Sequence, residues 1–310
     1  MSFKKQLFAY IRSMRPYLFF ISGMAGLIGV VFSGHSIQIG KVFLILGVLF
    51  VGWGVNQIIN DILGINEDRI NAPHRPMVTG ELPIRTAVII SAFLLFFGGI
   101  ISYHLNPYSL FFYFFVFALN VVYQYSKRLP VGGNIIFGVL LAPCVYYGAM
   151  CINGKGVEII LDSQLFPLAF AIALINAVMC YFTYFKDYEG DRLTGNKTIV
   201  VLLTPERAKH LNFLLCAIPF LSILLIKNAN YAFFVFLLIT FIVLQYAAYL
   251  FFCQPQGDNA FYALRWVFVG SVFFETSFIA LLNPYLAGLL FIVVCVIMNL
   301  LFILASDCLA

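Results

Sequence analysis

Charge is scarce in this chain. Only 10% of its 310 residues are charged and 63% are hydrophobic, with a mean hydropathy of +0.99. Soluble domains carry about 25% charged residues, so a soluble globular protein is excluded. Neither a disulfide frame nor a zinc site is legible. The seven cysteines (Cys144, Cys151, Cys180, Cys216, Cys253, Cys295, Cys308) form no CxxC pair and lie mostly in apolar runs, as small core hydrophobes do. Of the four histidines, His35, His104 and His210 are scattered, and only His74 lies beside a polar stretch. No low-complexity linker divides the chain, so residues 1–310 are expected to form a single membrane-embedded domain. No small-residue cleavage site follows the basic start, so the first apolar span is expected to be retained.

What is abundant is long apolar runs. A bilayer core of about 30 Å takes roughly 20 apolar residues per helix. Such runs fall near 16–34, 41–60, 86–104, 108–126, 134–151, 164–183, 210–227, 231–253, 264–282 and 285–305. Glu275 interrupts the ninth run, and only Asn283-Pro284 separates it from the last, so the pattern predicts nine or ten spans. With a cytoplasmic N-terminus, one side of the membrane carries 15 of the 18 basic residues. Lys41, Lys155 and Lys227 remain on the other. The positive-inside bias therefore predicts an integral protein of the cell (inner) membrane with its N-terminus and polar loops cytoplasmic.

The scarce acids are not spread evenly. Of 13, eight fall in or beside two loops: Asp61, Glu67, Asp68 and Glu81, then Asp187, Glu189, Asp191 and Glu206. The first stretch runs Asn56-Gln-Ile-Ile-Asn60-Asp61-Ile-Leu-Gly64-Ile-Asn-Glu-Asp68-Arg69 and on to Arg75-Pro76. The second runs Lys186-Asp187-Tyr-Glu-Gly-Asp191-Arg192 and on to Asn196-Lys197. Residues three, four or seven apart share a helix face, so Asn56 with Asn60, Asp61 with Asp68, and Asp187 with Asp191 can each present paired oxygens. Such hard ligands suit Mg2+, which keeps waters and shares phosphate oxygens. Arg69, Arg75, Lys127, Arg128, Lys186, Arg192 and Lys197 lie close by in sequence. Acids for a metal and bases for leftover anionic charge describe a diphosphate site.

Each feature also has a plainer reading. Charged loop ends are ordinary in membrane proteins, and any one of these aspartates taken alone is more often solvated than functional. Asn56, Asn120, Gln124 and Asn176 fall inside spans, where helix-to-helix hydrogen bonding is the commoner role. Glu275 marks either an intramembrane pathway or a shifted span whose end lies near an interface. The 35 phenylalanines and 17 tyrosines are mostly packing and lipid-facing residues, some of which could stabilise a cation through their ring faces.

In combination the motifs resemble those of the UbiA-type intramembrane prenyltransferases. Asn56-Gln-x-x-Asn60-Asp61-x-x-Gly64-x-x-x-Asp68-Arg-x-Asn-x-Pro-x-Arg75-Pro resembles their first signature. Lys186-Asp187-x-Glu189-Gly-Asp191-Arg resembles the second, and Tyr123-x-x-x-Lys127-Arg128 their basic element. The resemblance implies an all-α nine-helix transmembrane bundle around a central cavity, here with a tenth C-terminal span. It further implies Mg2+-dependent transfer of a prenyl group from an isoprenoid diphosphate to a lipophilic or aromatic acceptor, in contact with membrane lipids and with no nucleic acid as partner. Carried over, Asp61, Asp68, Asp187 and Asp191, helped by Asn56 and Asn60, hold the metal. Arg75, Tyr123, Lys127, Arg128, Lys186, Arg192 and Lys197 hold the diphosphate. Gly64 departs from the pattern, because the family usually has an Asp there. That departure keeps two alternatives open: a membrane terpene cyclase acting on the same diphosphates, and a non-catalytic lipid-binding descendant.

Overall fold

The computed structural model describes residues 3–306, so Cys308 lies outside the described residues. Those described are helical or looped, with no strand among them. An amphipathic helix α1 (Phe3–Ser13) leads through a short turn at Pro16–Leu18 into α2 (Phe19–Val31). Then follow α3 (Ile39–Leu63), the short α4 (Ile65–Asn71), α5 (Ile84–Leu105), α6 (Ser109–Ser126), α7 (Gly132–Asn153), α8 (Leu165–Lys186) and the short α9 (Tyr188–Leu193). The chain continues as a helical segment α10 (Pro205–Leu225) that tightens to 3-10 geometry in its second half. It ends with α11 (Tyr231–Cys253), α12 (Asp258–Ile279) and α13 (Pro284–Ser306).

Nine helical segments among the described residues are long and apolar enough to cross a membrane, and α13 is one of them. The expected C-terminal span is therefore present. Helix α12 is not among the nine, since Asp258, Arg265 and Glu275 interrupt it. Its 22 residues still give it a length of about 33 Å, and it packs against α2, α8, α11 and α13 as a member of the bundle. The chain is an integral membrane protein.

Burial separates inner from outer helices. In the most apolar stretches of α7 and α8, 67% of residues are buried, against 22% in those of α5 and α13. The outer helices turn Phe93, Phe96, Phe111, Phe114, Ile292 and Leu300 outward, an apolar surface that suits acyl chains and not water. At the centre α2 crosses α7 closely: a Cβ on Gly148 would lie 2.0 Å from the Gly26 carbonyl oxygen. Only a residue without a side chain fits there.

Glu275 is fully buried, and its Oε1 accepts from Asn176 Nδ2 at 3.1 Å. The pair clamps α8 to α12 within the bundle. Asn120 has the helix-to-helix role expected of intramembrane amides, donating to the Asn56 carbonyl of α3 at 3.1 Å.

Candidate active site

The two acidic stretches become two short helices of the same design. Helix α3 ends at Gly64 and α4 restarts one residue later; α4 then ends at Ala72, before Pro73, where a proline disfavours further helix. Helix α8 likewise ends at Asp187, and α9 stops before Gly195, which takes a left-handed φ of 82°. Successive helical residues point about 100° apart. Asp68 and Asp191 therefore turn inward and are buried while their neighbours Arg69 and Arg192 are exposed.

Asn71 locks the two helices together. Its Nδ2 donates to the Asp187 carbonyl at 3.0 Å, and its Oδ1 accepts from the Gly190 amide at 2.8 Å. The contact needs glycine at 190, because a Cβ there would lie 2.3 Å from Asn71 Nδ2 and 2.8 Å from the Glu67 carbonyl oxygen. Thus sequence positions more than 110 residues apart become one site.

Beneath this junction lies a cleft with roughly 1030 Å³ of empty space, counting its open mouth. Its polar wall carries Asn60, Asp61, Glu67, Asp68, Asp187 and Asp191 together with Arg15, Arg75, Lys127 and Lys186. Arg75 donates to Asp61 at 3.1 Å and also pairs with Asp68, while Arg15 pairs with Asp61 and bonds Gln57. The Lys127 ammonium lies 5.2 Å from the Tyr123 ring centre. Burial pushes the Asp68 carboxyl above its ordinary value, against the pull of Arg75. Burial likewise raises Asp191 to about 6, opposed by Lys127 and by the 2.9 Å hydrogen bond from Asn196. Burial disfavours charge on Arg75, but Asp61 and Asp68 outweigh it and raise its pKa. His74 is pushed down by burial and by the charges of Lys186 and Arg75.

Most of the expected residues meet in the cleft: Asn60, Asp61, Asp68, Arg75, Tyr123, Lys127, Lys186, Asp187 and Asp191. Asn56 lines an adjoining apolar pocket with Trp53, which the two cavities share. Arg128, Arg192 and Lys197 are exposed and do not line the cleft. Arg192 pairs with Glu189 at 2.9 Å, and Lys197 contributes its backbone amide to the Lys127 carbonyl at 2.9 Å. Sequence reasoning missed Arg15, Gln57 and Arg265 as cleft residues, and marked Gln124 only as an intramembrane amide. A signal for Arg15 existed, since it directly precedes Pro16 at the mouth of the first apolar run.

The donors present fit a hard divalent ion. Asp191 Oδ2, Asn60 Oδ1 and Gln124 Oε1 are buried without a hydrogen-bond partner, and all three residues line the cleft. Among the described residues no three acidic, histidine or cysteine side chains stand close enough to hold an ion alone. Amide, water and phosphate oxygens would have to complete the shell, as Mg2+ commonly requires. At Gly64 a Cβ would lie 2.5 Å from Gln124 Nε2, so a side chain there would have to push that amide aside.

A helical membrane bundle with an acid- and base-lined cleft beside an apolar pocket is the arrangement that a membrane-embedded prenyltransferase needs. The chain belongs to the UbiA prenyltransferase family, whose pattern matches residues 19–269. It is 29% identical over 202 residues to a digeranylgeranylglyceryl phosphate synthase of Pyrococcus abyssi, covering 64% of this chain and 70% of that one. Its fold matches the apo structure of a UbiA homologue from Aeropyrum pernix, with TM-score 0.71, 19% identity, and 84% and 96% of the two chains covered. It also matches a UbiA homologue from Archaeoglobus fulgidus bound to geranyl diphosphate (GPP) and Mg2+, with TM-score 0.58, 21% identity, and 89% and 99% covered.

Proposed function

We propose that this enzyme transfers a prenyl chain from an isoprenoid diphosphate to a lipid glycerol phosphate, with Mg2+ as cofactor and its acidic loops facing the cytoplasm. The observation that carries the reading is the junction at Asn71. It joins both carboxylate helices over one cleft that also holds five cationic side chains. The acceptor follows the digeranylgeranylglyceryl phosphate synthase likeness, and the orientation follows the 15-to-3 split of basic residues.

Asp61, Asp68, Asp187 and Asp191, with the amide oxygens of Asn60 and Gln124, would hold Mg2+, which neutralises charge as the diphosphate departs. The chain's own residues do the rest. Arg15, Arg75, Lys127 and Lys186 bind and orient the diphosphate, and Tyr123 steadies Lys127 through its ring face. Donors aimed at a leaving oxygen in a water-poor site are each worth about 10²- to 10³-fold in rate. Behind them the prenyl tail runs past Trp53 into an apolar pocket of about 440 Å³, lined by Val48, Leu49, Phe112, Phe117 and Leu140. Keeping water from this region lets the acceptor, not solvent, capture the allylic cation.

The test is diphosphate release by detergent-purified protein from geranylgeranyl diphosphate, with and without Mg2+, across prenylglycerol phosphate, naphthoate and hydroxybenzoate acceptors. The reading requires Mg2+-dependent release that is stimulated by the glycerol phosphate. Release with every acceptor omitted, yielding a cyclic product, would assign cyclase chemistry instead.

A further inference from the structure

Besides its charged residues, the cleft is lined by Tyr17, Leu18, Leu264, Phe268 and Phe302. Beside Leu264 on α12 stands a further cation of the cleft, Arg265, one turn from Phe261, whose ring centre lies 5.6 Å from the Lys186 ammonium. Among the described residues Arg265 forms no ion pair with a carboxylate, unlike Arg15 and Arg75 of the same cleft. It is held instead by neutral groups of α13. Its Nε donates to Asn299 Oδ1 at 2.8 Å, and its Nη2 reaches the same oxygen. The guanidinium carbon lies 5.8 Å from the Phe302 ring centre. The Asn299 amide is itself fixed, since its Nδ2 donates to the Cys295 carbonyl at 2.6 Å. The Phe302 ring is wedged against Tyr17 at 4.5 Å and Phe268 at 6.0 Å between ring centres.

A guanidinium has five N–H donors in a rigid fork. Asn299 takes two, which leaves three available to a ligand in the cleft. An arginine pre-set by neutral partners keeps its whole charge for an anion, and its fork matches phosphate oxygens two at a time. The surrounding wall selects the anion's carrier. Leu264, Phe268 and Phe302 are almost wholly buried, so a phosphate beside them gives up bulk water, a cost that a lipid's apolar chain offsets on entering the bundle and a small soluble phosphate bears alone.

We propose that Arg265, positioned by Asn299 and Phe302, is the subsite that takes the phosphate of the acceptor's headgroup. This rests on the prenyl-transfer reading but assigns the acceptor's charge to a residue outside the two acidic loops. The C-terminal helix thereby becomes a determinant of acceptor choice.

The test is equilibrium binding, in nanodiscs without donor, of a monoprenyl glycerol phosphate, the matching uncharged monoprenyl glycerol, and free glycerol phosphate. Wild type should bind the lipid phosphate at least about tenfold more tightly than the uncharged lipid, and free glycerol phosphate weakly. In Arg265→Gln that preference should fall to within about twofold while the uncharged lipid binds as before, and Arg265→Lys should recover part of it. Wild type alone overturns the proposal if it binds both lipids equally, whatever the variants do. Equal weakening of both lipids in Arg265→Gln, with a lowered melting temperature, would make Arg265 only an anchor for α13 and also overturn it. A raised KM for the diphosphate donor with acceptor binding unchanged would move the residue to the donor site. Failure of prenyl transfer itself would appear in the turnover assay and not in this binding measurement.

Discussion

Removing the Asn71 side chain should separate the two carboxylate helices without unfolding the bundle. In Asn71→Ala the Asp187 carbonyl and the Gly190 amide lose their partners at 3.0 and 2.8 Å. A net hydrogen bond is worth about 1 kcal/mol, and more when the group left behind is dry. Asn71 is half-buried, so water can reach part of the gap, and the local loss is about 2 kcal/mol. That is small beside the packing of α2, α7 and α8, so the melting temperature should change by only a few degrees. The site has less tolerance. Asp68 and Asp191 must converge on one ligand, and a displacement of about 1 Å in a reacting geometry costs roughly 10²-fold. Steady-state diphosphate release should therefore show kcat/KM reduced about 100-fold, with apparent Mg2+ affinity weakened in parallel. Gly190→Ala should act similarly, because its Cβ would press on the same amide and on the fixed Glu67 carbonyl. If Asn71→Ala kept activity within about threefold of wild type, the bridge would not be what aligns the two loops.

Restoring an acid at position 64 should cost little stability. Gly64→Asp sets a Cβ 2.5 Å from Gln124 Nε2, the tip of a flexible side chain that can swing aside, so the loss should be no more than about 1 kcal/mol. Adding Gln124→Ala should recover most of that loss, a non-additive pair that chemical denaturation can measure. Asp191 makes metal binding pH-dependent. Its folded value of about 6 lies above the ordinary carboxylate range, so the folded protein retains a proton that the unfolded chain releases. Stability of the metal-free protein is then greatest below about pH 4 for this group and declines as pH rises to about 6. Mg2+ must displace that proton, so calorimetric affinity should fall about tenfold per pH unit below 6 and level off above it. An affinity flat from pH 5 to 7 would argue against Asp191 as a ligand.

Most of the site was legible because the membrane makes charge expensive, so carboxylates gathered in two places stand out against an apolar background. That clustering singles out eight acids; helical spacing and the family resemblance narrow them to Asp61, Asp68, Asp187 and Asp191, all of which line the cleft. The cations were harder. Nearness in sequence to an acid does not say which side of a one-turn helix a residue occupies, and so Arg192 and Lys197 were placed at the site although they face outward. Arg15 was read only as a marker of orientation. Its left-handed φ of 53°, which the sequence does not betray, is part of how it reaches back to Asp61. Arg265 was hidden differently: it counted as one more basic residue on its side of the membrane. Its meaning depends on Asn299 and Phe302, which arrive from a helix 34 residues or more further along. Glu275 could not be interpreted until Asn176 was seen opposite it.

The two acidic helices are proposed to form one divalent-ion and diphosphate site that drives prenyl transfer. The most direct measurement is Mg2+-dependent diphosphate release from geranylgeranyl diphosphate, with a prenylglycerol phosphate acceptor, by wild type, Asp68→Asn and Asp191→Asn. Each substitution should lower the rate about 10²- to 10³-fold, although the two aspartates come from opposite halves of the chain. Release that persists in both variants, or that proceeds equally without Mg2+, would contradict the account.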